Sequence, residues 1–279
     1  MTVELRRRAS FSAAHNYWLE ALTAEQNRDL FGKWAAERGH GHNYDVEVSV
    51  AGDVNPKTGM VVNIVDVDRV LKTQVVGTLD GKFLNFDVDY FGSHSPTLEN
   101  ISQYCWDCIE PRLPVEAILT SIRIWEMPTL WATRCRGGGD MEVSITRAYD
   151  FAASHKLHSN HLSDEENQAL FGKCNNPNGH GHNYGVEVTI VGDPDERSGM
   201  LFSIEDLDRV VDEEVLQAFD HKHLNLDTPE FADVNPTSEM LTVVIWNKLA
   251  GRLPTTGSVR LSSVVVRETA RNSFEYRGK

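Results

Sequence analysis

One pattern occurs twice in this chain of 279 residues, 140 positions apart, and it limits the possible folds more than any other feature. Leu22 to Val48 matches Leu162 to Val188 without a gap, with 16 of 27 positions identical, far more than unrelated segments share. The register continues through Phe11/Phe151, His15/His155, Gly59-Met60/Gly199-Met200, Asp68-Arg69-Val70/Asp208-Arg209-Val210 and Pro96-Thr97/Pro236-Thr237. Two extra residues then enter the second copy, so that Glu126 aligns with Glu268. Two domains are expected, residues 1–139 and 140–279, with Gly137-Gly138-Gly139 as a flexible join.

Within each copy the order reads as strand, long loop, strand, strand, helix, loop, helix, strand, strand. Tyr44 to Val50 and Tyr184 to Val191 alternate apolar and polar residues, as a strand with one buried face does. Thr58-Gly59-Met60 and Ser198-Gly199-Met200 are expected in a turn leading to a further strand. A helix is expected from Ile204, with acidic residues in its first turn, and a second one after Thr237, which can cap it. The fold class is therefore α+β: in each copy an antiparallel sheet with two helices on one face.

A formal net charge of −14 is the wrong sign for a nucleic-acid surface, which needs basic groups to displace counterions from phosphate. There is no apolar run of bilayer-spanning length, and Met1 to Arg8 lacks the apolar segment of a signal peptide, so a cytoplasmic location without membrane attachment is expected. Four cysteines are too few for a disulfide scaffold. Cys105 and Cys108 form a C-x-x-C, but the second copy has Ile245 and Lys248 there, which favours a plain amphipathic helix over a redox or zinc motif.

His155, His180 and His182 have the composition of a three-imidazole metal site with a fourth position left open, as in catalytic zinc centres. His15, His40 and His42 repeat that set with the same spacing. His180-Gly-His182 in an extended strand puts both imidazoles on one face. Cys174, six residues before His180 in a polar, turn-forming stretch, is a candidate base; the first copy has Trp34 in its place. Asp220-His221 offers a carboxylate-oriented imidazole, and its counterpart is Asp80-Gly81, so cysteine and histidine are missing from the same copy. Glu268 and Glu126 end apolar strands, where a carboxylate can accept paired N–H donors from a guanidine-like ring edge such as a pterin presents. His94, His158, His161 and His223 lack counterparts and read as surface residues.

Phe151-Ala-Ala-Ser-His155, Leu162 to Tyr184, Phe219-Asp-His-Lys222, Pro236-Thr-Ser-Glu239 and Arg267-Glu-Thr269 together resemble the 6-pyruvoyl-tetrahydropterin synthase family over residues 141–279, and the first half resembles a degenerate relative. That resemblance implies the tunnelling fold (T-fold) in tandem, and zinc-dependent conversion of 7,8-dihydroneopterin triphosphate to 6-pyruvoyl-tetrahydropterin with loss of triphosphate. It implies zinc on His155, His180 and His182, pterin binding by Glu268 with Thr237, and catalysis by Cys174 with Asp220 and His221 of a neighbouring subunit. In the first copy it implies zinc on His15, His40 and His42, with Glu126 at the pterin position. It also implies a homotrimer, with a ring of second copies stacked on a ring of first copies as a pseudo-hexamer. The related 6-carboxy-tetrahydropterin synthase shares substrate and site types, and the C-x5-H-x-H interval favours the pyruvoyl enzyme. A non-catalytic pterin or zinc binder and a zinc hydrolase are the readings from other classes; the hydrolase would have no need of Cys174.

Overall fold

A computed structural model describes residues 1–137 and 141–279, so Gly138 and Gly139 of the expected join lie outside the described residues. The chain divides into two compact units, Met1–Thr146 with Val191–Ser203, and Arg147–Ile190 with Ile204–Lys279.

In the first unit β1 (Thr2–His15) and β2 (His40–Asp53) pair antiparallel from Thr2 opposite Asp53 to His15 opposite His40. β2 pairs in turn with β4 (Ile118–Met127), and β4 with β5 (Leu130–Arg136), both antiparallel. β3 (Lys82–Phe83) lies parallel to β1 at Ala13 and Ala14, a two-residue exception to the antiparallel sheet expected. Beyond β5 comes β6 (Met141–His155), of which Met141–Thr146 belong to this unit. Tyr44, Val46, Val48 and Val50 are fully buried on one face of β2, where the period of two places them, and Ile122 and Ile124 continue that face on β4. Two helices begin at side-chain caps: Asn63 accepts from the Val65 N–H ahead of Ile64–Leu71, and Thr97 from the Asn100 N–H ahead of Leu98–Ile109. Cys105 is buried within the second of these, the plain helical role expected of it.

The second unit repeats the scheme with the rest of β6, β7 (His180–Gly192), β9 (Arg260–Thr269) and β10 (Asn272–Tyr276), in the order β10-β9-β7-β6. β8 (Lys222–His223) lies parallel to β6. The two expected helices run from Ile204 to Val211 and from Ser238 to Ala250, the latter capped by Thr237 as expected, while a third, Asp164–Phe171, with Ala24–Phe31 as its counterpart, occupies the stretch expected to be a long loop.

One expected strand is absent from both copies. After Met60 and Met200 the chain passes through three residues and enters a helix at Ile64 or Ile204. Val61 and Val62 are buried, which gives the stretch its strand-like composition, but Asn63 already caps the next helix and leaves no length for a ladder.

Candidate active site

Each histidine triad assembles where two strands meet: His155 ends β6 and His180 and His182 begin β7, just as His15 ends β1 and His40 and His42 begin β2. In each set the ligand nitrogens lie within 4.8 Å of one another. The glycine before each pair is fixed by space and conformation. Gly179 has φ +72°, and a Cβ there would lie 2.7 Å from the His155 carbonyl oxygen.

The buried histidine of each triad is oriented from behind, because the Pro236 carbonyl lies 2.7 Å from His155 Nδ1 and the Pro96 carbonyl 3.0 Å from His15 Nδ1. With Nδ1–H donating to that carbonyl, Nε2 is left as the lone-pair nitrogen that a metal needs. Burial lowers the pKa of His15 to about 3 and of His42 to about 4, and it lowers His155 and His180 as well, so these rings are neutral near pH 7. His180 Nδ1 is buried without a hydrogen-bond partner. Three imidazoles converging in one spot fit a zinc ion.

Beside each triad stands the strand-end glutamate. In the second unit Glu268 Oε1 is 3.8 Å from His182 Nε2; Ser238 Oγ donates to Oε1 at 2.8 Å and Asn272 Nδ2 to Oε2 at 2.8 Å. Pro236-Thr237-Ser238 thus does three jobs in sequence: it orients His155, caps a helix and holds Glu268. Thr237 Oγ1 accepts from the Met240 N–H, so in this structure its hydroxyl serves the helix end.

In the first unit both glutamate partners are replaced by buried leucines, Leu98 for Ser238 and Leu130 for Asn272. Glu126 Oε1 lies 3.4 Å from His42 Nε2. Tyr17 fills the remaining space: its ring stands edge-on to His15 at 5.3 Å, its hydroxyl is hydrogen-bonded to the Leu98 backbone, and burial with the charges of Glu126 and Glu99 holds its pKa well above the ordinary range. The second copy has the half-buried Leu157 there, and the half-buried Cys174 where the first has the buried Trp34. On the glutamate side the first pocket is closed, with the Glu126 side chain 0% exposed against 17% for Glu268.

Asp220 and His221 separate into a structural and a chemical part. Asp220 Oδ1 accepts the Ala152 N–H at 2.9 Å, the same bond that Asp80 makes with Ser12, which explains why both copies keep the aspartate. Its Oδ2 lies 2.9 Å from His221 Nδ1, and the Ala152 bond followed by the one to His221 lowers its pKa. His221 has φ +56°, and no other non-glycine described residue has a positive φ; its counterpart Gly81 takes φ +70° at no steric cost. A histidine kept in this strained conformation, with an exposed ring, points to use. His221 and Lys222 line one open hollow with Gly181 to Asn183, a lining that does not include Cys174.

Not all the remaining histidines are surface residues. His223 Nδ1 is buried and its Nε2 would lie 2.9 Å from a Cβ on Gly179, and His158 Nδ1 is 3.1 Å from Asn175 Nδ2. His94 and His161 are exposed as expected. No helix among the described residues is long and apolar enough to cross a membrane.

The family model for 6-pyruvoyl tetrahydropterin synthase matches residues 4–136 and again 144–279. The 6-pyruvoyl tetrahydrobiopterin synthase of Homo sapiens is 47% identical over 143 residues, covering 51% of this chain and 97% of that protein. The Drosophila melanogaster enzyme of the same name is 43% identical over 134 residues, covering 48% of this chain and 79% of its own length. A 6-carboxy-5,6,7,8-tetrahydropterin synthase from Rickettsia conorii is 24% identical over 143 residues, covering 45% of this chain and 95% of that protein. The solved structure of the Caenorhabditis elegans 6-pyruvoyl tetrahydropterin synthase matches 50% of this chain and 96% of its own, at 40% identity and a TM-score of 0.47.

Proposed function

The chain belongs to the 6-pyruvoyl tetrahydropterin synthase family, a family of lyases, and we propose that its second copy converts 7,8-dihydroneopterin triphosphate to 6-pyruvoyl-tetrahydropterin with elimination of triphosphate. The observation that carries this reading is the joint retention of Cys174 and His221 with a histidine triad in one copy, against their joint replacement by Trp34 and Gly81 in the other.

In this proposal residues 140–279 form the working domain and residues 1–139 a degenerate one. His155, His180 and His182 hold zinc, which when bound supplies Lewis acidity toward the substrate's side-chain oxygens. Glu268, fixed by Ser238 and Asn272, presents a carboxylate to the pterin N–H edge, with Thr237 beside it. Cys174 takes the side-chain proton as general base, and Asp220 steadies the His221 ring of a neighbouring chain that relays it. The protein assembles as a homotrimer and acts in the cytoplasm. In the first copy His15, His40 and His42 keep the metal-binding set while Tyr17 excludes the pterin, so Glu126 is retained there without a ligand. Incubation with dihydroneopterin triphosphate and mass analysis of the products tests the reading: 6-pyruvoyl-tetrahydropterin is expected, and 6-carboxy-tetrahydropterin would reassign the product.

A further inference from the structure

The turn that follows His15 helps to enclose a cavity of about 400 Å³ in the first unit, and its lining includes neither a triad histidine nor Tyr17 or Glu126. Asn85 holds that turn from both sides: its Oδ1 accepts the Asn16 N–H at 2.9 Å and its Nδ2 donates to the Asn16 carbonyl at 3.0 Å. Asn225 holds Lys156 in the same way, and a hollow of about 350 Å³ lies at the corresponding place in the second unit. The scaffold is common to both copies. The groups that line it are not.

Two buried polar atoms of the first cavity have no partner among the described residues. Asn16 is 4% exposed; its Nδ2 donates to the Glu37 carbonyl at 3.5 Å, which leaves Oδ1 as an unmet acceptor. Ser95 is 3% exposed, and although its carbonyl accepts from Asn100 Nδ2 at 2.8 Å, its Oγ is unmet. Buried polar atoms are rarely left unpaired, because each forfeits its hydration, so two of them lining one cavity point to a ligand that supplies the missing bonds. The second copy has Lys156 and Asn235 at these positions, and Asn235 Oδ1 already accepts the His158 N–H at 3.2 Å.

The other side chains restrict what that ligand can be. Trp18, Phe86 and Phe91 supply aromatic walls, Glu20 and Glu37 add two carboxylates, and no lysine or arginine lines the cavity. In the second copy His158, Leu226 and Asn160 replace Trp18, Phe86 and Glu20, and Lys156 and His161 join the lining. A phosphate or carboxylate ligand would meet two like charges in the first cavity and no cation. A protonated amine is attracted both by the carboxylates and by the aromatic faces, and it brings the N–H donors that the two unmet oxygens need.

We propose that this cavity is a separate binding site for a small aromatic amine cation, a protonated nitrogen carried on a flat body of one or two rings. The rings pack among Trp18, Phe86 and Phe91 while the nitrogen donates to Asn16 Oδ1 and Ser95 Oγ, and the volume suits a ligand of that size. The site lies wholly in the first unit and does not depend on the reaction proposed for the second copy. It gives the degenerate copy a task in which its triad takes no part.

Calorimetric titration of the full chain with 1-naphthylmethylamine and with 1-naphthoate, which share a flat body and differ in the sign of charge, tests the proposal. The amine is expected to bind at one equivalent per chain and the carboxylate not to bind. Asn16→Lys and Ser95→Asn each install the residue that the second copy carries on the same scaffold, and each is expected to weaken binding of the amine by on the order of tenfold or more. Lys156→Asn, in the other hollow, should leave that binding unchanged. A melting transition like the parent's shows that a variant is folded, and the two substitutions are independent, so either one decides the matter if the other misfolds. No binding of the amine, equal binding of the two naphthalenes, or binding at parental strength in a folded Asn16→Lys or Ser95→Asn chain overturns the proposal.

Discussion

At residue scale the histidine that follows Asp220 separates chemistry from structure. His221→Gly places the residue of the first copy at a position with φ +56°, so thermal stability should stay within about 1 kcal/mol of the parent while turnover falls by on the order of 10²–10⁴-fold. Asp220→Ala should lose both, because its carboxylate also anchors the Ala152 N–H; melting temperature and kcat measured on the two variants show whether the split holds. Cys174→Ala should cost turnover on the order of 10²–10⁴-fold, and normal rates would refute its role as base. The convergence of the triads, with Glu268 beside His182 and Asp220 beside His221, was legible in the sequence because each is a polar residue repeated, or pointedly not repeated, at a fixed interval. Tyr17, Leu98 and Leu130 were not, since an apolar or aromatic side chain in a strand-rich copy reads as core until the pocket that it fills is known.

At the scale of elements the stretch from proline to glutamate at each helix start governs the site. Burial pushes the Glu99 pKa up to about 7, against roughly 4.3 for a free side chain. A carboxyl raised in the folded state contributes stability that is full below its unfolded value and is lost as pH climbs through the folded one. The melting temperature of the parent relative to Glu99→Gln should therefore fall between about pH 4.3 and 7; a difference independent of pH would refute the shift. The main strands and the cap of the last helix could be read from alternation and from Thr237, whereas the caps Asn63 and Thr97 emerged only in the structure. The absent strand after Met60 could not, because two buried valines look alike whether they cross a sheet or merely lead into a helix.

At the scale of the molecule the two triads and the single Tyr17 plug give different counts. Elemental analysis should approach two zinc ions per chain and lose one in the His40→Ala/His42→Ala variant, since three neutral imidazoles suffice for coordination without the cysteine. One zinc per fully loaded chain would show that the first triad is empty. The tandem arrangement was plain in the sequence, whereas the inclusion of Met141–Thr146 and Val191–Ser203 in the first unit was not, because burial belongs to surfaces and no single residue announces it. The Tyr17 plug has its own consequence for anyone assaying the protein with a tight-binding pterin analogue. Calorimetric titration should saturate at one equivalent per chain, half the metal content, and would be misread as a half-dead preparation. Tyr17→Leu, which at a cost on the order of 2 kcal/mol gives the first pocket the side chain found in the second, is the variant in which the end point should move toward two.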